Sequence, residues 1–281
     1  MPELPEVETV VRGLRPRLQG RCILRLSVHQ PLILRGNRAL FRRLVPGTRI
    51  ARLERRGKFI VFHLAASADA VRSWCLIVHL GMTGQLFCCP PQQPYQKHTH
   101  VTFWLDTGEQ LRVRDPRRFG RLEIIPAGAL ANYFAHFGPE PFAVPLAAFA
   151  QRFAGRRAPV KSLLMNQNLL RGLGNIYSDE ALFAARIHPA TPAGALDRAA
   201  LRRLHRAIRR VLRAAIAAEG TSFSDYVTAD GRLGNFQSRL RVYGREGQPC
   251  RRCRTRIERR VLTGRSSHFC PRCQPRYNRA G

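Results

Sequence analysis

Apolar positions recur with a helical period over residues 4–19. Val7, Val10, Val11, Leu14 and Leu18 fall on one face, Pro5 suits a first turn, and Gly20 ends the run. From residue 21 to about 126 the pattern changes to short strands. Segments 23–28, 49–53, 59–64, 75–80, 85–87, 100–105, 110–113 and 121–125 read as strands, separated by turn pairs such as Pro46-Gly47 and Thr107-Gly108. About eight short strands at this spacing predict a β-sandwich or barrel. Segment 127–150, rich in Ala, Pro and Phe, reads as a linker. The helical period then returns. Segments 161–167 and 176–185 flank a glycine-bearing turn, Arg171-Gly172-Leu173-Gly174-Asn175. Segment 196–218 is a long helix with Leu204, Ile208, Val211, Leu212, Ala215 and Ile216 on one side and almost only arginine on the other. Residues 221–240 are polar and glycine-bearing and read as a mobile loop plus a strand. The pattern predicts a multi-domain α+β chain: an N-terminal helix plus β-sandwich over 2–130, a helical domain over 150–235, and a cysteine-framed module over 241–275.

Charge narrows the partner. The 281 residues carry 48 Lys and Arg against 18 Asp and Glu, a formal net charge of +30. A hydrophobic fraction of 44% is enough to build cores, which excludes a disordered basic tail. No apolar run approaches the ~20 residues of a membrane helix. The opening MPELPEVETV has neither a basic start nor an apolar signal core, so no membrane span or secretion is expected, and the cytoplasm is. There the largest polyanion is nucleic acid. Only Lys58, Lys97 and Lys161 are lysines. Codon preference for arginine accounts for the rest, and the three that remain become candidates for places needing a cation that can also pass a proton.

Two motifs carry chemistry. Cys250-x2-Cys253 and Cys270-x2-Cys273 stand sixteen residues apart, two knuckles that each chelate one edge of a tetrahedron. Four thiolates leave no open coordination position, so the expected cofactor is one structural zinc ion. Arg254, Arg256, Arg259, Arg260 and Arg265 make the intervening hairpin a basic finger. The second motif is the N-terminus. Removal of Met1 would leave Pro2 with a free secondary amine, neutral roughly two-hundred-fold more often than lysine at neutral pH, and the neutral form is the nucleophile. Attack on an aldehyde-level carbon gives an iminium ion. Glu3 sets a proton donor beside it. Glu6 and Glu8 read equally well as favourable charge at a helix start. Arg114-Asp115-Pro116-Arg117-Arg118-Phe119-Gly120 is a turn after a strand. It is read either as an ordinary basic turn or as a tip that inserts into a base stack. Gly172-Leu173-Gly174-Asn175 opens a helix, where exposed amides suit phosphate and Asn175 suits an N-cap.

MPELPEVETV, His79-Leu80-Gly81-Met82-Thr83-Gly84, Asp115-Pro116-Arg117-Arg118-Phe119-Gly120, Gly172-Leu173-Gly174-Asn175-Ile176-Tyr177 and the four-cysteine finger occur in this order over nearly the whole chain. Together they resemble the bacterial formamidopyrimidine-DNA glycosylases. The resemblance implies an N-terminal catalytic β-sandwich, a helix–two-turn–helix DNA-binding domain and a β-hairpin zinc finger. It implies base excision repair: removal of oxidised purines such as 8-oxoguanine from double-stranded DNA, then strand cutting at the abasic site by β,δ-elimination. By resemblance Pro2 is the nucleophile at C1′, Glu3 the acid that assists base release, Lys58 the proton donor for β-elimination, and Arg265 the residue of δ-elimination. The high pKa of arginine fits a phosphate grip better than proton donation. His98, Arg117, Lys161 and Asn175 match DNA-contacting positions. Met82, Arg117 and Phe119 match the side chains that fill the hole left by the flipped nucleotide. Lys97 has no specific role.

Three positions depart from the family pattern. Glu219-Gly220-Thr221-Ser222 stands where Gly-Gly-Thr-Thr is usual, Leu233 where proline is common, and Met165-Asn166-Gln167 where Met-Asp-Gln is common. The first two touch the loop that reads the flipped base. A rival reading is an endonuclease VIII-like enzyme for oxidised pyrimidines, against which Leu4 speaks. Another is a non-catalytic zinc-finger nucleic-acid-binding protein, which needs no Pro2-Glu3 pair. Nothing requires more than a monomer.

Overall fold

The computed structural model describes residues 2–66, 73–222 and 233–276. Eleven strands and seven α-helices follow in chain order among them. The first stretch runs α1 (Leu4–Leu18), β1 (Cys22–Val28), β2 (Leu34–Arg35), α2 (Arg38–Leu44), β3 (Thr48–Arg56), β4 (Phe59–Ala66), β5 (Ser73–His79), β6 (Gln85–Cys89), β7 (Thr99–Leu105), β8 (Gln110–Arg114), β9 (Arg121–Pro126) and α3 (Leu130–Tyr133). The second runs α4 (Leu146–Gln151), α5 (Val160–Met165), α6 (Asn175–Ala185), α7 (Arg198–Ala217), β10 (Glu258–Leu262) and β11 (Arg265–Phe269). The chain divides into two compact units, 1–135 with 218–237, and 136–217 with 238–281.

In the first unit all eight expected strands form, as β1 and β3–β9. They join one mixed sheet in the order β2-β9-β5-β4-β3-β1-β7-β8-β6. β1 changes partners. Cys22 and Ile23 pair with β3, and after a bulge between Ile23 and Arg25 the strand pairs with β7. Such an irregularity lets one strand serve two layers. α1 packs on β3 and β4 and also on β6. Its buried face is the one periodicity picked out, with Val7, Val11, Leu14 and Leu18 fully covered. Leu34 and Leu122 from one end of the sheet and Leu86 from the other share a single core with α1. Both halves therefore close over one apolar interior, as a sandwich requires.

The short α2 and two-residue β2 carry too little period to be read from sequence. α2 is fixed locally, the Asn37 side chain accepting from the Leu40 N–H at 3.0 Å. The segment 127–150 is not a linker. Phe134 and Phe149 are buried, and α3 and α4 form there. Its phenylalanines pay for order that its Ala and Pro content disguises.

In the second unit α6 is covered on all sides, whereas α7 buries only Leu201, Leu204, Ile208, Leu212 and their neighbours. α6 packs against α5, α7 and β11. Two acids on it are structural. Glu180 accepts the backbone N–H groups of Arg241, Val242 and Tyr243 at 2.9–3.0 Å, which anchors the entry to the finger. Burial raises the Glu180 pKa while these N–H groups pull it down. Residues 218–222 and 233–237 pack in the first unit. Asn235 N–H donates to Ala218 O at 2.9 Å and Phe236 N–H to Gly220 O at 2.9 Å. Of the loop-plus-strand expected over 221–240, residues 223–232 lie outside the described residues, and residues 236–239 form a 3-10 turn, not a strand.

Candidate active site

The first unit carries Pro2, Glu3, Lys58, Met82, His98, Arg117 and Phe119. Pro2 is buried, and Glu3 is 2% exposed at the N-cap of α1. The Glu3 N–H donates to Glu6 Oε2 at 2.8 Å, and Glu6 Oε1 accepts the Thr221 N–H at 2.8 Å. Glu6 is thus a clamp. It holds the start of the chain to the segment that departs from the family pattern at 219–222. Glu8 is structural too. Burial alone would raise its carboxyl, but hydrogen bonds from Arg12 and Arg55 hold it below the usual range.

Lys58 sits in the two-residue turn joining β3 to β4, where Arg56 pairs with Phe59. Gly57 takes φ 60° at the first turn position, a conformation that favours glycine and suits a II′-type hairpin. Arg55 braces the turn through Gly57 O at 3.3 Å and Glu8 at 2.9 Å. Lys58 is 5% exposed, and its charge reaches His79 at the end of β5. Burial, then Arg121, then Lys58 push the His79 pKa down to about 4. The ring is neutral at pH 7, and Nδ1 accepts the Gly81 N–H at 3.1 Å.

A pKa depressed in the fold means that the unfolded chain takes up this proton first. The stability that His79 contributes is therefore present above pH 6.5 and lost as pH falls towards 4, up to about 3 kcal/mol. His79→Gln keeps an acceptor for Gly81 but cannot titrate. Urea unfolding between pH 4 and 7 is expected to show a shallower loss of stability in this variant than in the parent.

Met82, Arg117 and Phe119 stand on two interlocked turns. Asp115 is fully buried. Its Oδ1 accepts from Thr83 Oγ1 at 2.5 Å and its Oδ2 from the Gly120 N–H at 2.7 Å. The Arg117 N–H donates to Thr83 Oγ1 at 3.2 Å. Gly81, at φ 62°, lies so close to the other turn that a Cβ there would stand 2.5 Å from Gly120 N. The turn at 115–120 is thereby fixed, while its tip stays in solvent: Phe119 is 54% exposed, with the Arg117 guanidinium 4.7 Å above its ring. An apolar ring and a cation held on a rigid tip is the equipment for entering a base stack.

His98 precedes β7 with φ 70°. Partial burial and then its neighbours Lys97, His100, Arg114 and Arg118 lower its pKa. The segment before it is pinned by Arg112, which is fully buried and has no carboxylate partner among the described residues. Its guanidinium donates to Gln110 Oε1, Pro94 O and Gln93 O and lies 4.1 Å from the Tyr95 ring.

The second unit carries Lys161, Asn175, Arg265 and the cysteines. Lys161 is not on the surface. It is 1% exposed, with Nζ 2.7 Å from Asp179 Oδ1 and donating to Ser266 O at 2.6 Å. A buried ammonium paired with a buried carboxylate positions its neighbours. Asp179 Oδ2 also accepts the His268 N–H at 2.9 Å, so the pair ties β11 to α5 and α6. Asn175 is not the N-cap expected. Gly174 holds that position, and Asn175 Nδ2 reaches Ser266 Oγ at 3.4 Å. Asn175 Oδ1 is buried and accepts nothing among the described residues. Thr263 and Gly264 turn the β10–β11 hairpin with φ 46° and 74°, which leaves Arg265 exposed at its tip.

The Sγ atoms of Cys250, Cys253, Cys270 and Cys273 all lie within 4.8 Å of one another. Zn–S bonds of about 2.3 Å in a tetrahedron put sulfurs about 3.8 Å apart. Pairs at 3.4 and 3.9 Å match that spacing, so the cluster is suited to one zinc ion. Cys22, Cys75, Cys88 and Cys89 form no disulfide among the described residues and lie in strands or at their ends.

Sequence reasoning missed the residues that hold the others: Thr83, Asp115, Asp179 and Arg112. Asp115 had a signal, since an Asp before Pro and Arg in a turn often bonds backbone two residues on.

Family models match almost the whole chain. They are the formamidopyrimidine-DNA glycosylase N-terminal domain over residues 1–122, its H2TH domain over 137–227, and the zinc finger found in FPG and IleRS over 247–276. A formamidopyrimidine-DNA glycosylase of Chloroflexus aurantiacus is 44% identical over 98% of both chains. A Lactococcus lactis FPG mutant in complex with Fapy-dG DNA is similar in structure, with TM-score 0.91, 34% identity, and 98% of this chain and all of that one covered. The L. lactis Fpg with DNA containing an abasic site matches at the same TM-score, identity and coverage.

Proposed function

The chain belongs to the formamidopyrimidine-DNA glycosylase family, and on that premise we propose how this DNA glycosylase for oxidised purines does its chemistry. Pro2, once Met1 is removed, is the nucleophile. Its nitrogen attacks C1′ of the damaged nucleotide, and the glycosidic bond breaks with its electron pair leaving on the base. Glu3 gives the proton that neutralises the departure. The nitrogen then gives up its proton and the C1′–O4′ bond breaks, O4′ taking a proton with help from Glu3. The ring-opened iminium makes the 2′ proton acidic, and elimination expels the 3′ phosphate and afterwards the 5′ phosphate. Lys58 handles protons in the first elimination. Arg265 grips phosphate in the second, because a guanidinium holds its proton at neutral pH.

The observation that supports this most is the start of the chain. Pro2 and Glu3 are buried at the head of α1, where Glu6 holds the Glu3 backbone N–H. A protein that only bound DNA would have no use for an amine and a carboxyl fixed there. Met82, Arg117 and Phe119 fill the stack, and His98 and Asn175 contact the backbone. Lys161 supports Ser266 beside Arg265. The zinc module keeps that hairpin shaped.

The substrate is double-stranded DNA bearing oxidised bases or abasic sites. No helix among the described residues is long and apolar enough to cross a membrane. The reading puts the enzyme in the cytoplasm, on the nucleoid, as a monomer. Matched duplexes carrying 8-oxoguanine or thymine glycol test the branch. Faster excision of 8-oxoguanine, followed by a nick, is expected. Faster excision of thymine glycol would favour the endonuclease VIII-like reading.

A further inference from the structure

α7 presents a face that the glycosylase chemistry does not use. Arg202, Arg206, Arg209, Arg210 and Arg213 line a groove of about 700 Å³ with His205 and with Leu146 from α4. The groove shares no residue with the Lys161, Asn175 and Ser266 cluster, which lies on α5, the start of α6 and β11. Its wall is built. His205 is buried, bonds Val144 O at 2.9 Å and stacks on Phe149 at 5.2 Å, which fixes α4 against α7.

We propose that this groove is a second nucleic-acid-binding site, taking the phosphate backbone of a duplex segment other than the one undergoing repair. Codon preference explains arginine over lysine, but not five cations on one face with no acid among them. The pairs 202/206, 206/209, 206/210, 209/213 and 210/213 are three or four apart, so each arginine neighbours like charge along the helix, an arrangement that weakens an isolated helix. The unit has acids that could offset this, and all are engaged elsewhere. Glu140 pairs with Arg171, Asp179 with Lys161, Glu246 with Arg259 and Glu258 with Arg260. Glu180 holds backbone N–H groups, and Asp197 caps α7 through the Ala200 N–H. None of the five arginines has an acidic partner among the described residues.

The spacing suits a phosphate row. Residues 202–213 cover about 16 Å of helix at 1.5 Å per residue. One DNA strand presents a phosphate every 3.4 Å of duplex axis while winding about it, so about two or three face one side over that length. Guanidinium is the cation that grips phosphate through two parallel N–H groups. A molecule with a second duplex site can hold two segments at once and pass between them during its search.

Native mass spectrometry with short undamaged duplexes tests this without any repair chemistry, so its outcome is independent of the proposed mechanism. The parent protein is expected to form a complex of one chain with two duplexes. R206Q/R209Q/R210Q is expected to weaken the second binding step about tenfold or more, to lower its salt slope by about 0.9 for each phosphate no longer neutralised, and to leave the first step within about twofold. R38Q/R42Q/R43Q removes the same charge from α2 and is expected to keep both steps. Equal weakening in the two triple variants would reduce the effect to net charge and overturn the proposal. So would a parent protein that binds one duplex only, loss of the first step in the α7 variant, or capture of the groove by phosphatidylglycerol vesicles in preference to the second duplex.

Discussion

A chain that retains any residue before Pro2 is expected to lose base excision and strand cutting by roughly a thousandfold or more, while still binding duplex DNA. The reason is covalent. Once acylated, the proline nitrogen is a planar amide whose electron pair is delocalised into the carbonyl, and it cannot attack C1′. Nothing else in the site need change. Single-turnover excision by the unextended and extended proteins, with circular dichroism to confirm equal folding, measures the effect. Pro2→Gly supplies the contrast, because it keeps a terminal amine able to form a Schiff base. It should retain measurable excision where the extended chain has none. If the extended chain turned over at the parent rate, the nucleophile would lie elsewhere.

The second large effect is on stability. Lys161→Met is expected to cost about 3–5 kcal/mol, because it strands the Asp179 carboxylate in the interior. Asp179 would keep only its bonds to His268. Converting both partners, Lys161→Met with Asp179→Leu, removes the stranded charge and should recover much of the loss. Urea titrations of the two single variants and the double variant give the coupling. The result also separates two roles for this lysine. A direct phosphate contact would leave stability nearly unchanged and would lower the salt slope of DNA binding by about 0.9. The burial of Lys161 predicts the opposite: a stability loss with little change in that slope.

Lys161 shows where sequence reading stops. Its scarcity among 48 cations marked it as special, but the reason, a buried acid eighteen positions later on another helix, is tertiary. Asp115 and Thr83 are likewise 32 residues apart, and no local period links them. Arg112 sits in a strand whose pattern says only that one face is apolar, yet it is the largest fully buried side chain. What was legible had short-range causes. The eight strands were legible as short apolar runs between turn residues, and β4, β5, β7 and β8 each bury four consecutive residues. The paired cysteines were legible because a metal demands its ligands at fixed spacing. The Pro2-Glu3 pair was legible because its chemistry depends on adjacency alone. The segment 127–150 misled because Ala and Pro outnumber the phenylalanines that order it. The expected base-reading loop falls partly on residues 223–232, outside the described residues.

The departure at 219–222 is tied to the catalytic end of the chain by the bond from Thr221 to Glu6. A change at 219–222 that moves the Thr221 N–H is expected to move Glu6 and with it the backbone of Glu3.

The central claim, that the backbone nitrogen of Pro2 carries the covalent step, is tested most directly by borohydride reduction during reaction with 8-oxoguanine DNA, followed by digestion and mass mapping of the adduct. The predicted product is a single adduct on the peptide that begins at Pro2, absent from a chain extended at its N-terminus. No adduct from a protein whose mass shows Pro2 exposed, or an adduct mapped to Lys58, would contradict it.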